Sequence, residues 1–215
     1  MIIAVDGPTA SGKGTIAKRL AAHFGVPHLD TGLLYRAVGR QVALNGGDPG
    51  DPGDALAACA FPDTLLDDPI LRAEATGSLA SQVSVHPQVR EALFKRQRAF
   101  AEQPGGAVLD GRDIGTVIAP DAEVKLFITA SVAERARRRW LEVSGQTNGG
   151  EAAITLATIE KDIAARDARD INRADAPLKP ALDALVIDTT QFDREQAFET
   201  VLEAVEQTLA NRSAV

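Results

Sequence analysis

Aromatic residues are scarce in this chain: one Trp, one Tyr and seven Phe, 4% of 215 residues. Positive charge is short as well, with 23 Lys and Arg against 30 Asp and Glu and a net charge of −7. Nucleic-acid binding needs local positive charge for the phosphates and, for single strands, aromatic platforms for the bases. Neither is present in quantity, so nucleic acid is not an expected partner. Cysteine occurs once, at Cys59, which excludes an internal disulfide and a cysteine-based zinc cluster and suits a reducing compartment. His23, His28 and His86 are scattered without ligand spacing and read as structural or surface residues. Long apolar runs are also missing. Residues 2–5 are apolar and lead straight to Asp6 with no basic region before them. That is not the pattern of a secretory signal, and nothing approaches a membrane span. A cytoplasmic location without a membrane partner is expected.

What remains is an ordinary globular composition, 45% hydrophobic and 25% charged, with one asymmetry. Lysine is rare: 17 of the 23 basic residues are Arg. Arg offers a planar fork of donors that grips phosphate or carboxylate in two places, where Lys is a point charge. A genome that writes Arg for Lys would give the same total, so position has to decide.

The pattern alternates strand and helix. Met1-Ile2-Ile3-Ala4-Val5 is a continuous apolar run, as expected for a strand buried on both faces. Ile16, Ala17, Leu20, Ala21 and Phe24 share one helical face, and Gly25 and Pro27 end it. His28-Leu29 reads as a strand stub, 33–44 as a second helix, and 46–53 as turn chemistry. A short helix is expected at 54–60, an irregular stretch at 61–79, and helix again at 79–85 and from Pro87 through Phe100. Ala107-Val108-Leu109-Asp110 and Val124-Lys125-Leu126-Phe127-Ile128-Thr129 are strand-like. Ser131 with Glu134 predicts a capping box opening the next helix. A long helix is expected over 151–170, a buried strand at 184–188 and a closing amphipathic helix over 194–210. Alternation of this kind implies a parallel sheet wrapped on both faces. The excursions at 46–85 and 140–175 read as appendages of one core spanning 1–215.

Gly7-Pro8-Thr9-Ala10-Ser11-Gly12-Lys13 fits the phosphate-loop pattern G-x-x-x-x-G-K between a buried strand and an amphipathic helix. Glycines let backbone N–H groups converge on phosphate oxygens, and the helix points its positive end at the same anion. Lys13 can reach the β- and γ-phosphates. The hydroxyl that normally follows Lys stands one place later, at Thr15 after Gly14, a form associated with nucleoside monophosphate kinases. Gly7 through Thr15 are the candidate ATP-binding residues, with Thr15 the candidate magnesium ligand.

Three further segments carry chemistry: Asp30-Thr31-Gly32-Leu33-Leu34-Tyr35-Arg36, Asp110-Gly111-Arg112-Asp113-Ile114-Gly115-Thr116-Val117, and Arg166-Asp167-Ala168-Arg169-Asp170-Ile171-Asn172-Arg173. With Asp6-Gly7-Pro8, Ala80-Ser81-Gln82-Val83 and Val89-Arg90-Glu91-Ala92-Leu93 in the same order, the chain resembles the bacterial cytidylate kinases from end to end. The resemblance implies a P-loop three-layer α/β sandwich on a five-stranded parallel sheet, with an acceptor-binding insertion at 46–85 and a lid at 140–175. It implies ATP as phosphoryl donor, Mg²⁺ as cofactor, CMP and dCMP as acceptors, and a monomer. Carried over by motif, Ser81, Arg90 and Asp113 would read the base. Thr31, Tyr35, Arg36, Arg112 and Arg173 would hold the acceptor phosphate and the group in flight. Arg166 and Asp170 would sit near the sugar. Lys13, Arg112, Arg173 and Asp110 would carry the transfer.

The base-reading set is chemically sensible. Cytosine offers an amino donor at N4 beside acceptors at N3 and O2, which a carboxylate and an Arg or hydroxyl donor complement. Uracil would turn a carbonyl toward Asp113. The acceptor is an ionised phosphate oxygen, so no strong general base is required. Two departures stand out. Thr31 replaces Ser, and the segment after Cys59, where the family carries a small inserted sheet, is short and lacks strand alternation.

Other readings attach to several of these residues. Asp110 ends an apolar strand as a magnesium-linked acid would, yet Asp is also common in turns. Tyr35 could be a core aromatic. Among Arg135, Arg137, Arg138 and Arg139 at least two should lie on a solvated face, because successive helical residues cannot all point one way. Asn172-Arg173-Ala174-Asp175 faintly resembles a guanine motif, which would suit a GTPase switch. A kinase for UMP or AMP on the same core is the nearest alternative.

Overall fold

The computed structural model describes residues 1–144 and 155–213. Five parallel strands, β1 (Ile2–Asp6), β2 (His28–Asp30), β3 (Ala107–Gly111), β4 (Val124–Thr129) and β5 (Leu185–Asp188), form one sheet in the order β2-β3-β1-β4-β5. The helices are α1 (Lys13–Phe24), α2 (Thr31–Leu44), α3 (Pro52–Ala57), α4 (Glu74–Val83), α5 (Pro87–Ala101), α6 (Val132–Ser144), α7 (Leu156–Asn172) and α8 (Arg194–Ser213).

Side chains of a strand alternate between faces, and this alternation builds the layers. Ile3 and Val5 of β1, Val108 of β3 and Val124, Leu126 and Ile128 of β4 pack against α1 and α8 through Ile16, Leu20, Phe198 and Val201. Ala4, Ala107 and Leu109 face the other way, onto Ala101, Ile114 and Ile118. Short β-branched runs with two covered faces can only be interior strands of an α/β sandwich, so the expected fold class is the observed one.

The strand at 185–188 departs from expectation. It is an edge strand: Ile187 packs on the core, whereas Val186 is 59% exposed. An apolar run alone does not distinguish the middle of a sheet from its rim. The capping box is half formed as well. Ser131 Oγ accepts the Glu134 N–H at 3.3 Å, but the Ser131 N–H goes to Thr190 Oγ1, and Glu134 instead pairs with Arg137 and Arg138.

Residues 46–85 contain no strand. After α3 come three 3₁₀ turns, Ala58–Ala60, Asp63–Asp67 and Pro69–Arg72, and then α4, which starts five residues before the expected 79. The segment packs Ala55, Ala58, Phe61, Leu65 and Leu71 against Leu34, Val38 and Val42 of α2 and Leu93 of α5. α6 and α7 pair through Ala136, Ile159 and Ile163. The expected start of α7 at 151, and the loop at its head, lie outside the described residues.

Strand order places the loop after β1 where the chain departs to either side, the position at which open α/β sheets bind ligands beyond their carboxyl ends. Asp6 and Asp30 end β1 and β2 there and Asp110 stands one residue before the end of β3, between them, with Asp30 opposite Asp110 and Asp110 opposite Val5. Asp6 is buried and accepts the N–H groups of Ile114 and Gly115, both at 2.8 Å. These bonds fix the π turn Ile114–Ile118 that follows Arg112 and Asp113. Burial pushes the Asp6 carboxyl up to about 7 against the lowering effect of the two amides.

Candidate active site

The phosphate loop is shaped by contacts that no side chain at Gly7 could permit. Its φ is +154°, and a Cβ there would lie 2.0 Å from the Ile128 carbonyl oxygen of β4. Ala10 adopts φ +59° and Gly12 φ +87°, and α1 opens at Lys13 with no side-chain cap on its first turn. Two arginines of α6 grip the outside of the loop. Arg135 donates to the Thr9 carbonyl at 3.0 Å and Arg138 to the Ser11 carbonyl at 3.4 Å. Because the N–H of a trans peptide points opposite its C=O, these bonds turn the N–H groups of Ala10 and Gly12 to the other side of the loop. Arg135 is buried and paired with Asp167 at 2.7 Å, while Arg137 is exposed on Glu134. Of the four arginines Arg137 alone is exposed, Arg138 and Arg139 being half-buried, so fewer lie on a solvated face than expected; the two loop-holding members were not identifiable by motif.

Two cavities share this loop as a wall. The larger, about 630 Å³, is lined by Ala10 through Ile16, by Arg19, Arg137, Arg138 and Leu141, and by Thr189, Phe192, Asp193, Arg194, Ala197 and Phe198 of the β5–α8 corner. Thr15 is exposed and faces this side. Gly7 and Pro8 line neither cavity; Pro8 offers its carbonyl to Lys13 Nζ at 3.1 Å.

The smaller cavity, about 220 Å³, is lined by every candidate acceptor-site residue: Thr31, Tyr35, Arg36, Ser81, Arg90, Arg112, Asp113, Arg166, Asp170 and Arg173. Lys13 and Asp110 line it too. Arg112 donates to Asp170 Oδ2 and to Thr9 Oγ1, both at 2.9 Å, and so spans from α7 to the phosphate loop. Arg90 is buried against Asp113, which also lies 3.7 Å from Arg173. Arg90 Nη1 and Arg173 Nη2 are buried donors that meet no hydrogen-bond acceptor among the described residues. Such donors call for an anion or a carbonyl-bearing ligand.

Several roles read from the sequence need adjustment. The Thr31 hydroxyl donates to the Asp110 carbonyl at 2.8 Å, so its proton is committed to the backbone. Arg36 Nη1 is held by the carbonyls of Leu71 and Ala73 at 2.8 and 3.0 Å. Tyr35 is both core and cavity wall, and Arg90 lies over its ring at 5.9 Å. His28, read as structural or surface, has its Nε2 2.7 Å from Asp110 Oδ1. The supposed guanine motif dissolves, since Asn172 donates to Ala168 within its own helix and Asp175 lies 3.2 Å from Arg90.

Charge at the floor of the site is tightly balanced. Burial and Arg112 lower the Lys13 ammonium to about 7, against Asp110, Asp30 and Asp170. Burial and neighbouring Asp110 raise the Asp30 carboxyl. A polyphosphate arriving at the loop would favour the charged form of Lys13. Nucleotide binding at pH 8 is therefore expected to take up about one proton and to weaken as pH rises above 7. Calorimetry in buffers of different ionisation enthalpy measures this, and Lys13→Met should abolish it. Proton uptake that survives the substitution would place the titration elsewhere.

Two cavities on either side of one phosphate loop, one of them lined with arginines, suit a P-loop kinase whose acceptor is itself a phosphate ester, rather than a switch with a single bound nucleotide. Comparison with known proteins makes this specific. The cytidylate kinase profile matches residues 3–207, and the chain belongs to that family. A cytidylate kinase of Methylocella silvestris is 55% identical over 207 residues, covering 96% of this chain and 94% of its own. One from Rhodopseudomonas palustris is 50% identical over 216 residues with both chains fully covered. A solved structure from Eubacterium ventriosum aligns with a TM-score of 0.55 at 16% identity, covering 96% of this chain and 98% of its own, a likeness of fold alone.

Proposed function

We propose that the larger cavity holds ATP and the smaller one CMP or dCMP, and that the γ-phosphoryl group passes directly between them beside Lys13. The reaction is that of the family: ATP and CMP or dCMP give ADP and CDP or dCDP. The observation that carries the residue assignments is the convergence of all the motif-derived acceptor residues on one cavity, with the phosphate loop between it and a second.

Transfer of a phosphoryl group through a loose transition state spreads charge over its equatorial oxygens, so positioning and electrostatics supply most of the catalysis. Lys13 would follow the charge from the donor side. Arg112 and Arg173 would neutralise it from the acceptor side. Asp113, with Arg90 and Ser81, would read the cytosine edge, and Arg166 and Asp170 would hold the sugar. A nucleotide-bound Mg²⁺ needs only one or two protein oxygens besides phosphates and water. The donor set fits: Asp110 Oδ2 lies 3.6 Å from where a Gly14 Cβ would be, next to Thr15, and Asp30 sits beside Asp110. When bound, the ion would neutralise the β- and γ-phosphates.

We further propose that 46–85 is the acceptor-binding insertion and 140–175 the lid of a single-domain, monomeric, cytoplasmic enzyme. The separate apolar clusters under each segment support this division. No helix among the described residues is long and apolar enough to cross a membrane. A coupled assay with ATP and a panel of monophosphates should give CMP and dCMP far ahead of UMP, AMP and GMP. Equal rates across the panel would remove the base-reading assignment.

A further inference from the structure

α7 and α4 come from the two appended segments, and a side-chain hydrogen bond joins them: Arg169 Nε donates to Ser81 Oγ at 3.0 Å. Ser81 is buried, at 7% exposure, in the wall of the smaller cavity with Arg90 and Asp113. Arg169 itself does not line that cavity, and no motif assigned it a role.

The consequence follows from counting protons. A serine hydroxyl has one proton and two lone pairs, and a guanidinium can only donate. Arg169 therefore occupies a lone pair of Ser81 and leaves the O–H free. A helical serine can give that proton to the carbonyl one turn back; the Ser81 Oγ lies instead against Arg169 on the neighbouring helix. We propose that Arg169 is a specificity-determining positioning residue, which fixes Ser81 as a hydrogen-bond donor toward the pyrimidine edge. Cytosine answers with an unprotonated ring nitrogen beside the amine that Asp113 would accept from. Uracil has an N–H at that place, donor against donor, so the Arg169–Ser81 pair adds to the discrimination that Asp113 supplies.

This inference rests on the smaller cavity being the cytosine site, and the test separates the two. Wild-type enzyme preferring CMP over UMP satisfies the functional reading independently of Arg169. Arg169→Met keeps the length of the side chain and removes the donor. It is expected to lower kcat/KM for CMP about tenfold, chiefly through KM, and to leave that for UMP level or raised. KM for ATP and the melting temperature should change little. Arg169→Lys, which still donates, should restore most of the CMP/UMP ratio. Ser81→Ala should lower the ratio similarly, and adding Arg169→Met to it should cost nothing more, because the two act as a unit. Equal losses for CMP and UMP, an unchanged ratio, or additive effects in the double variant would each overturn the proposal. Should Arg169→Met melt early, Arg169→Gln and the Ser81→Ala comparison decide the same question.

Discussion

Replacing Arg112 with alanine is expected to lower kcat by about 10³-fold or more while ATP still binds. The side chain reaches from Asp170 on α7 to Thr9 in the phosphate loop, so its guanidinium stands in the smaller cavity against the loop that the two cavities share. Burial alone would lower the Arg112 guanidinium, but Asp170 beside it holds it above its ordinary range, and the charge is secure at any working pH. A contact that strengthens as charge moves onto the transferring group accelerates the step, whereas one equally strong in the bound state affects only KM. Arg112→Lys keeps a point charge without the fork and should recover little. Steady-state kinetics with calorimetric titration of the nucleotide measures the split. A rise in KM for CMP with unchanged kcat would reduce Arg112 to a binding residue.

Asp113→Asn should have the second largest effect, and on a different quantity. Asp113 is buried and paired with Arg90, with Arg173 on its other oxygen. Removing its charge takes a carboxylate from Arg173 and leaves Arg90 with Asp175, and it replaces one acceptor oxygen with a donor. A hydrogen bond to a charged group is worth about 1.5–3 kcal/mol, so losing the Asp113 contact to the cytosine amine should lower kcat/KM for CMP by about 10²-fold. The new amide N–H₂ can donate to a carbonyl, so UMP should suffer less and the CMP/UMP ratio should collapse. The panel of acceptors used for the wild-type chain reads this directly. A variant that lost CMP and UMP activity in equal proportion would show that Asp113 supports the architecture rather than the base.

The parts of this picture legible in the sequence are those written in local pattern. A buried strand, a glycine turn and an amphipathic helix lie within 24 residues, and their order specified the phosphate loop without any long-range information. The sheet was legible because its inner strands are short, continuous apolar runs. β5 was misjudged because Val186 is as apolar as a core residue while standing at the rim. Residues 61–72 resisted reading because 3₁₀ turns have neither of the periods that strands and regular helices impose. In the site, the motif residues proposed for the acceptor fall around one cavity, but the contacts that hold them were not legible. Arg169 meets Ser81 across 88 positions, His28 meets Asp110 across 82, and Asp6 meets Ile114 across 108. No spacing rule spans such distances, and the only signal available was an unexplained buried-type charge at the end of an apolar strand, as at Asp6.

The central claim is that one phosphoryl group moves directly from one nucleotide to another across the phosphate loop. ATP carrying label in its γ-phosphate, incubated with purified protein, Mg²⁺ and CMP, tests it with one separation of products. The account predicts label in the β-phosphate of CDP in step with ADP formed, and almost no labelled inorganic phosphate with or without acceptor. Label released as free phosphate while CMP stays unchanged would contradict it and leave a nucleotide hydrolase in its place.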